Sequence, residues 1–296
     1  MIAVTGWGHV VLGEGGTDGE CDPRPYLRER KSRKYMGLQD DMAVVAAGRA
    51  LEAAGLGRDL GERAGLFLSV GHIPFRSEDI DPVLAASVED GRFSMARFSD
   101  GGYQQAHPLL TFRCLPNMPA YHVSACFDVQ GPYLVTYPGA AQLYAALEEA
   151  CIALEAGAVD VALVGGVAHH RNFLVEHHFG RVVPPVEAAR LRDAGAMLLL
   201  ETGGHAAARG ARVRARLVEQ SAVYAPFDPR ERLPEHREQV LGSDIELPWG
   251  DALLGAASLP AALSALGASG RTRRIGHRLW GRDGVVARSD WDVGDA

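Results

Sequence analysis

One segment of the sequence has the pattern of a catalytic element. The stretch GPYLVTYPGAAQLYAAL, residues 131–147, predicts a short strand, a tight turn and a helix. Many enzymes place a nucleophile on such a turn, where an adjacent base activates it. Here the turn at 137–141 holds Tyr, Pro, Gly, Ala and Ala, none of which is an activated nucleophile. The sequence therefore predicts the position of a nucleophile without the nucleophile itself.

Histidine and cysteine, the other residue types suited to catalysis or metal binding, form no recognisable site. The doublets His169–His170 and His177–His178 suggest a metal site, since positions 170 and 177 would share a helix face. Adjacent histidines diverge, however, and no carboxylate cluster surrounds them, so we favour a surface excursion without metal. The cysteines make no CxxC pair, which predicts reduced thiols without disulfide or zinc. They are Cys21, Cys114, Cys126 and Cys151.

Charge and hydropathy narrow the class of protein. The 296-residue chain has a net charge of −7, which argues against a general nucleic-acid binder. Two basic runs, at 24–34 and 271–282, are either solvated faces or docking patches for an acidic partner. There is no apolar run of the roughly 18 residues that a membrane span needs, and no signal peptide. We therefore expect a cytoplasmic protein without a membrane partner. No G-x-G-x-x-G motif, which would bind a dinucleotide, occurs, and we expect no cofactor.

The turn at 137–141 lies inside a predicted βαβ unit. Strand PYLVTY leads into a helix from about Ala140 to Ala156, which Gly157 ends as a left-handed cap. The apolar strand VDVALVGG, residues 159–166, follows. A unit of this size implies a parallel sheet with both faces covered.

The remaining pattern predicts further strands and helices around this unit. A helix over 38–54 starts near Asp40 and ends at Gly55, and a late helix starts near Asp251 with a possible kink at Pro260. Residues 72–120 have no regular pattern, and 225–250 form a connector that the sequence does not assign. The predicted strands cover 2–11, 64–71, 196–202, 212–220 and 284–291.

Several segments, in this order, resemble the β-ketoacyl synthase family. IAVTGWGHV is similar to the family's first strand, RKYMGLQDDMAVVAAGRALEAAGL to its first long helix, and LPNMPAYHVSACFDVQGP to the stretch before its active-site strand. GAVDVALVGGV, DAGAMLLLETGGHAAARGARVRARL and GDALLGAASLPAALSAL resemble later segments, and LWGRDGVVA weakly resembles the closing turn. The resemblance implies an α/β, thiolase-like layered αβαβα fold with a shortened C-terminal half. It also implies a single domain over 1–296, with an N-terminal half at 1–205 and a truncated half at 206–296.

The resemblance also locates three catalytic positions, none of which carries its residue. The family's cysteine follows the Pro of GP by eight residues, and this count falls on Ala140. Gln142, two residues further on, is interpreted as an ordinary helix residue. Asp251 or Ala252 stands where one active-site histidine is expected, and the loop of the other is missing, with only His236 nearby. Since losing even one member of a catalytic unit costs about 10⁴ to 10⁶ in rate, the resemblance implies no condensation by this chain alone.

Without these three residues, the chain resembles the chain-length factor of type II polyketide and polyene systems, an inactive relative of the ketosynthases. That subunit pairs with an active ketosynthase and helps to close its acyl tunnel. The shortness of this chain is similar to that of partners in systems that make aryl polyenes or other reduced polyenes. The expected partners are therefore an active ketosynthase, in a heterodimer, and indirectly an acyl carrier protein.

This interpretation assigns roles to individual residues, each of which could instead serve ordinary packing or a solvated face. Tyr133 and Tyr137 on the strand before the turn are expected at the dimer interface. Arg271, Arg273 and Arg274 are expected to dock the acidic carrier protein. The expected tunnel residues are Leu109, Leu110, Phe112, Met118 and Tyr121. The alternatives are a malonyl decarboxylase or acyltransferase of the thiolase fold with a mechanism that uses no cysteine, and an acyl-binding scaffold.

Overall fold

The structure is a computed structural model that describes residues 1–13, 21–73, 75–182, 184–225, 237–242, 247–268, 273–281 and 284–294. His236 and Arg271 lie outside these residues. The α-helices are α1 (Leu38–Ala54), α2 (Ser77–Ser87), α3 (Met95–Asp100), α4 (Leu110–Cys114), α5 (Met118–Phe127), α6 (Gln142–Glu155), α7 (Phe173–Gly180), α8 (Gly203–Ala208) and α9 (Ser258–Gly267). The strands are β1 (Ile2–Val11), β2 (Ala64–Val70), β3 (Val88–Glu89), β4 (Arg92–Phe93), β5 (Tyr133–Thr136), β6 (Val161–Ala168), β7 (Ala194–Thr202), β8 (Ala215–Tyr224), β9 (Arg237–Leu241), β10 (Arg273–Trp280) and β11 (Val285–Val293).

Nine of these strands form one mixed sheet in the order β5-β2-β6-β7-β1-β8-β11-β10-β9. β2 lies parallel between β5 and β6, which confirms the predicted βαβ unit. β7 runs antiparallel to both β6 and β1, and the strands from β8 to β11 pair antiparallel. The expectation of a parallel sheet is therefore wrong beyond the strands around the turn. One reason is that β10 and β11 follow each other closely in sequence, and only antiparallel neighbours can be joined by a short connection.

Helices α1 and α5 cover one face of the central strands. α1 is buried over most of its length, and its start and stop follow the prediction. The Asp40 carboxylate accepts a hydrogen bond from the Gly37 N–H at 2.6 Å, and Gly55 ends the helix with φ of +69°. β1 and α1 pack backbone to backbone, because a Cβ on Gly6 would lie only 2.1 Å from the carbonyl oxygen of Ala50.

Helices α6 and α9 lie between the central strands and the C-terminal strands. Buried Tyr144 and Leu147 of α6 share one apolar cluster with Leu198 of β7 and Leu263 of α9. The same cluster includes Trp291 of β11, so the helices contact sheet on both sides. The layers are thus α1 with α5, the central strands, α6 with α9, and the C-terminal strands. This arrangement confirms the thiolase-like layered α/β fold.

The C-terminal strands turn a polar face outward. β11 is buried at alternate positions from Ala287 to Val293, which face α6 and α9. On the opposite face Arg288 pairs with Glu219 at 2.5 Å, and Arg278 pairs with Asp290 at 2.8 Å. Within the described ranges no helix covers this face, and such alternation is typical of an antiparallel sheet with one side in water. On this side of the described structure, the stack of layers therefore ends at a sheet.

A network of hydrogen bonds connects α6 to the C-terminal strands. Trp291 Nε1 donates to Ser289 Oγ at 2.8 Å, and Ser289 Oγ lies 3.1 Å from Tyr144 Oη. Tyr144 Oη lies 2.7 Å from His277 Nδ1, and His277 Nε2 lies 2.7 Å from Glu238 Oε1. Trp291 can only donate and an ionised Glu238 carboxylate can only accept, whereas the two hydroxyls and the imidazole between them can each donate or accept. All of the polar side chains in this network therefore find partners between α6, β9, β10 and β11.

Some element boundaries differ from the sequence-based predictions. The late helix α9 begins at Ser258 and not near Asp251, because a 3-10 turn at Gly255–Ala257 precedes it. Pro260 therefore falls in the first turn of α9, where a proline fits without a kink. Residues 72–120, predicted to be irregular, contain the short helices α2, α3 and α4 and the start of α5. In the described part of the chain, no helix is long and apolar enough to cross a membrane.

Candidate functional site

The predicted strand–turn–helix is present and forms a sharp elbow. β5 ends at Thr136, the Tyr137–Pro138 peptide is cis, and Gly139 has φ of +114°. α6 begins at Gln142, which confirms that residue as part of the helix. Ala140 therefore lies just before the N-terminus of a 14-residue helix. A helix N-terminus favours negative charge and lowers the pKa of a nearby thiol, so the electrostatic setting of a nucleophile is retained.

A cavity of about 200 Å³ opens at this elbow, and we call it the elbow cavity. Ala140 lines it together with Gly255 and the rings of His72, His170 and His178. None of its lining residues in the described ranges is acidic. The histidines come from the segment after β2, the segment after β6, and α7. The structure therefore brings together three imidazoles that the sequence analysis did not assign to one site.

His170 is held in a defined orientation. Its side chain is buried, and Nδ1 lies 3.1 Å from the carbonyl oxygen of Leu253. A carbonyl oxygen only accepts, so Nδ1 carries a proton and donates it to Leu253, which orients the ring. Gly255, with φ of +56°, permits this position because a Cβ there would lie 2.7 Å from His170 Nε2. The sequence prediction of a surface excursion is wrong for His169 and His170, since both are buried directly after β6.

His72 and His178 form the opposite side of the elbow cavity. Their ring centroids lie 5.3 Å apart, and the His72 ring also meets the edge of Tyr137. Burial lowers the pKa of His72, which favours its neutral form. The backbone carbonyl of His72 accepts a hydrogen bond from Gln39 Nε2 at 3.0 Å, which fixes the segment to α1. Among the described residues, no group of histidine, cysteine and acidic side chains is arranged to hold a metal ion.

Asp251, at an expected histidine position, lies outside the elbow cavity. Its carboxylate is exposed and pairs with Arg190 at 2.9 Å. Leu253, Gly255 and Ala256 line the cavity instead, because the chain turns inward only after residue 252. The stretch GDALLGAAS thus supplies backbone and small side chains to the cavity but no acid or base.

The four cysteines are all buried, and burial raises the pKa of each thiol. The values are about 11 for Cys114 and Cys126 and about 12 for Cys21 and Cys151. Such thiols hold almost no thiolate near neutral pH, and the thiolate is the reactive form. None of them can substitute for the missing nucleophile.

Replacing Ala140 with Cys is expected to create a reactive thiol at the elbow. The N-terminus of α6 lowers the pKa of a thiol there, so alkylation should run at least about a hundredfold faster than at the native cysteines. The rate is measured by intact mass after iodoacetamide treatment near neutral pH. Ala156→Cys, exposed at the other end of α6, controls for exposure alone. An Ala140→Cys thiol no faster than the Ala156→Cys thiol would contradict this account of the elbow.

The residues predicted to line a tunnel do not line the elbow cavity. Met118 is buried in α5, and Leu109 and Leu110 are half-buried. Phe112 is exposed and packs against Tyr35, with ring centroids 5.5 Å apart. The other expected tunnel and interface residues are all exposed. They are Tyr121, Tyr133 and Tyr137.

The residues predicted to dock a carrier protein lie on β10. Arg273 is half-buried and Arg274 is exposed, whereas Arg271 falls outside the described residues. The other basic run forms an exposed 3-10 helix at Arg30–Tyr35 in front of α1. The two basic runs thus lie on different elements, a 3-10 helix before α1 and strand β10.

Comparison with known proteins identifies the family. The model of the β-ketoacyl synthase N-terminal domain matches residues 10–183, which is more than half of the chain. The chain belongs to the β-ketoacyl synthase family. Ala140, which lines the elbow cavity, lies inside the matched range and is the position that the sequence analysis aligned with the family's cysteine. No curated protein matches the chain.

Solved structures of ketosynthases share this fold. A chain of the AntDE–AntF complex, a type II polyketide synthase acyl-carrier protein with its ketosynthase, has a TM-score of 0.71 and 16% identity, covering 99% of both chains. A chain of the ishigamide ketosynthase/chain length factor has a TM-score of 0.65 and 18% identity, covering 99% of this chain and 98% of that one. The β-ketoacyl synthase from Burkholderia phymatum STM815 has a TM-score of 0.55 and 20% identity, covering 75% and 64%. At these identities the likeness shows the fold alone.

Proposed function

We propose that this chain is a chain-length factor, the noncatalytic partner of an active ketosynthase in a type II polyketide or polyene pathway. One observation carries the proposal: the elbow is fully formed, yet Ala140 occupies its nucleophile position. An alanine offers no atom for acyl transfer, and the buried cysteines cannot replace it. A family member that keeps this element without its chemistry is suited to a structural role beside an active subunit.

The unpaired edge of β5 supports a partner at this position. Among the described residues β5 is the last strand on one side of the sheet, so one row of its backbone groups has no neighbouring strand there. Tyr133 is 72% exposed and Tyr137 is 40% exposed. Exposed aromatic rings are typical of surfaces that bind another protein. β5 itself, with the sequence YLVT, has no charged residue to protect this edge from association. A second subunit that covers β5 would pair the edge and bury both rings.

The structures that share this fold also support a partner subunit. The match covers 99% of the AntDE–AntF chain and 98% of the ishigamide chain, and the second structure contains a chain length factor by its description. The match covers 64% of the Burkholderia synthase. In the proposed pair, the short domain over 1–296 contributes side chains to the acyl tunnel and leaves catalysis to the partner. The proposed tunnel residues are Leu109, Leu110, Phe112, Met118 and Tyr121.

The proposal also includes an acyl carrier protein that reaches the pair. Carrier proteins are acidic, and exposed Arg274 on β10 presents a guanidinium that pairs with no acidic side chain among the described residues. We assign this docking role to Arg274 together with Arg271 and Arg273. Because exposed charges mainly affect the rate of encounter, this contact would guide association more than it would determine its strength.

Co-purification with the ketosynthase encoded beside this chain tests the main proposal. We expect a 1:1 complex by light scattering and a Kd at least about tenfold weaker for Tyr133→Lys, since the variant buries a charge at the β5 edge. Tyr224→Lys, on an exposed tyrosine at the end of β8, is the matched control and should bind as the wild type does. The absence of a 1:1 complex, or equal binding by Tyr133→Lys, would sink the proposal.

A second candidate function, malonyl decarboxylation, is favoured by the histidines of the elbow cavity. Decarboxylation breaks the bond to the carboxyl carbon, releases CO₂ and leaves an enolate that takes up a proton. Imidazole N–H groups of His72 and His178, which line the cavity, can donate hydrogen bonds to such an enolate and stabilise its charge. This function predicts CO₂ release from malonyl-carrier protein by the chain alone, and loss of that release in His178→Ala. The chain-length-factor proposal expects no release from either protein.

A further inference from the structure

A second cavity, of about 430 Å³, lies between the start of α2 and the start of α7. We call it the α2–α7 cavity. It shares no lining residue with the elbow cavity. Its polar lining comes from the first residues of α2 and from the segment between β6 and α7. These residues are Arg76, Ser77, Glu78, His169, Arg171 and Asn172.

Two guanidinium groups face the α2–α7 cavity from opposite sides. Arg76 precedes α2, and its guanidinium forms no hydrogen bond or ion pair with the described residues, although its backbone carbonyl accepts from the Asp79 N–H. Arg171 donates from Nη1 to the carbonyl oxygen of Gly13 at 3.0 Å, while its backbone N–H donates to Asp193. A guanidinium has five N–H donors, so both arginines retain donors for a ligand. The N-terminus of the 11-residue helix α2 adds partial positive charge and backbone N–H groups on the same side.

A buried imidazole in the same cavity points independently to a ligand. The side chain of His169 is only 9% exposed, and its Nδ1 has no hydrogen-bond partner among the described residues. Its Nε2 lies 4.0 Å from Asp193 Oδ2, which is too far for a hydrogen bond. Buried polar atoms are nearly always paired in proteins, by protein groups or by bound molecules. An oxygen-bearing ligand between the two arginines would bring an acceptor next to this ring.

The acidic groups around the α2–α7 cavity limit the charge that it can accept. Among the lining side chains Arg76 and Arg171 are positive and Glu78 is negative, and the Asp193 carboxylate beside Arg171 and His169 offsets part of the remaining positive charge. Donors approach from α2 on one side and from the β6–α7 segment on the other. A tetrahedral oxyanion accepts hydrogen bonds in more directions than a planar carboxylate does. We propose that the α2–α7 cavity binds a phosphate group, as the free ion or as part of a larger molecule.

Calorimetric titration of the purified chain tests this proposal, with inorganic phosphate and glycerol 3-phosphate as the two probes at matched ionic strength. We expect saturable binding of at least one probe and about tenfold weaker binding in Arg76→Gln, because a charge-assisted hydrogen bond is lost. Arg92→Gln, on an exposed arginine of β4 outside the cavity, should bind as the wild type does. Arg76 is exposed at the start of α2, so its replacement should leave the fold intact.

Some outcomes identify which kind of phosphate ligand binds, and others contradict the proposal. Tighter binding of inorganic phosphate would identify the free ion, and tighter binding of glycerol 3-phosphate would identify a phosphate on a larger molecule. Absence of saturable binding by both probes would overturn the proposal. Equal losses in Arg76→Gln and Arg92→Gln, or acetate binding as tight as phosphate binding, would do the same. The test does not depend on complex formation with a ketosynthase.

Discussion

Replacing Glu201 with Gln is expected to lower the free energy of unfolding by about 3–5 kcal/mol at neutral pH. The Glu201 carboxylate is fully buried between β1, β7 and α8. Arg209 donates to both of its oxygens, at 2.5 and 2.8 Å, and His205 Nδ1 lies 2.6 Å from Oε2. Thr5 Oγ1 donates to Oε1 as well. Glutamine keeps the shape but loses the charge, which leaves the Arg209 guanidinium without its counter-ion.

The pH dependence of this effect follows from the pKa of Glu201. Burial alone would raise that pKa, but the hydrogen bonds from Arg209, Thr5 and His205 outweigh burial and hold it below its usual value. A carboxyl group with a lowered folded-state pKa stabilises the fold above its unfolded-state pKa, and this stability is lost as pH falls through the folded value. The difference in the free energy of unfolding between the wild type and Glu201→Gln should therefore become smaller in acid.

Urea unfolding at several pH values measures both parts of this prediction. Glu149→Gln, on an exposed glutamate of α6, is the matched control and should change stability by less than about 0.5 kcal/mol. A loss below about 1 kcal/mol for Glu201→Gln at neutral pH would show that the network contributes little. A gap that stays constant into acid would show that the charge of Glu201 is not its cause.

Replacing Gly166 with Ala is expected to destabilise the protein by about 1–3 kcal/mol or more. A Cβ on Gly166 would lie 2.1 Å from the carbonyl oxygen of Ala256 and 2.3 Å from its carbonyl carbon. Both are backbone atoms, so no side-chain rotation can relieve the clash. The turn at Gly255–Ala257 must move, and with it the wall of the elbow cavity that holds His170.

Thermal unfolding and hydrogen exchange check this prediction together. The peptide over residues 253–257 should exchange faster in Gly166→Ala than in the wild type, because the turn has been displaced. Gly57→Ala is the control, since a Cβ at Gly57 meets no atom within 4 Å. Unchanged stability and exchange in Gly166→Ala would mean that β6 and the turn are not in backbone contact.

Local signals in the sequence predicted much of the fold. The left-handed caps at Gly55 and Gly157 and the buried strands β2 and β6 follow from short-range chemistry, and the structure confirms them. The elbow at Ala140 was also predictable, because a strand, a glycine turn and a helix follow one another directly. The start of α9 was not, since Asp251 fits the chemistry of a helix start but pairs with Arg190 instead.

The candidate site could be predicted only in part, because its histidines come from distant segments. The packing of β2, β6 and α7 brings together His72, His170 and His178. The spacing of these residues in the sequence does not predict that they line one cavity. The polar doublet His169–His170 was interpreted as surface on composition. One signal was available: the doublet follows β6 directly, and the ends of neighbouring parallel strands meet at one sheet edge.

The hydrogen bonds from Trp291 to Glu238 connect α6 to the C-terminal strands through buried polar atoms. A slip of α6 against these strands would separate Tyr144 Oη from Ser289 and His277 and leave buried polar atoms without partners, which costs free energy. Apolar packing alone would tolerate such a slip better, because the hydrophobic effect has no direction. The network therefore fixes the register between the elbow and the last layer of the fold.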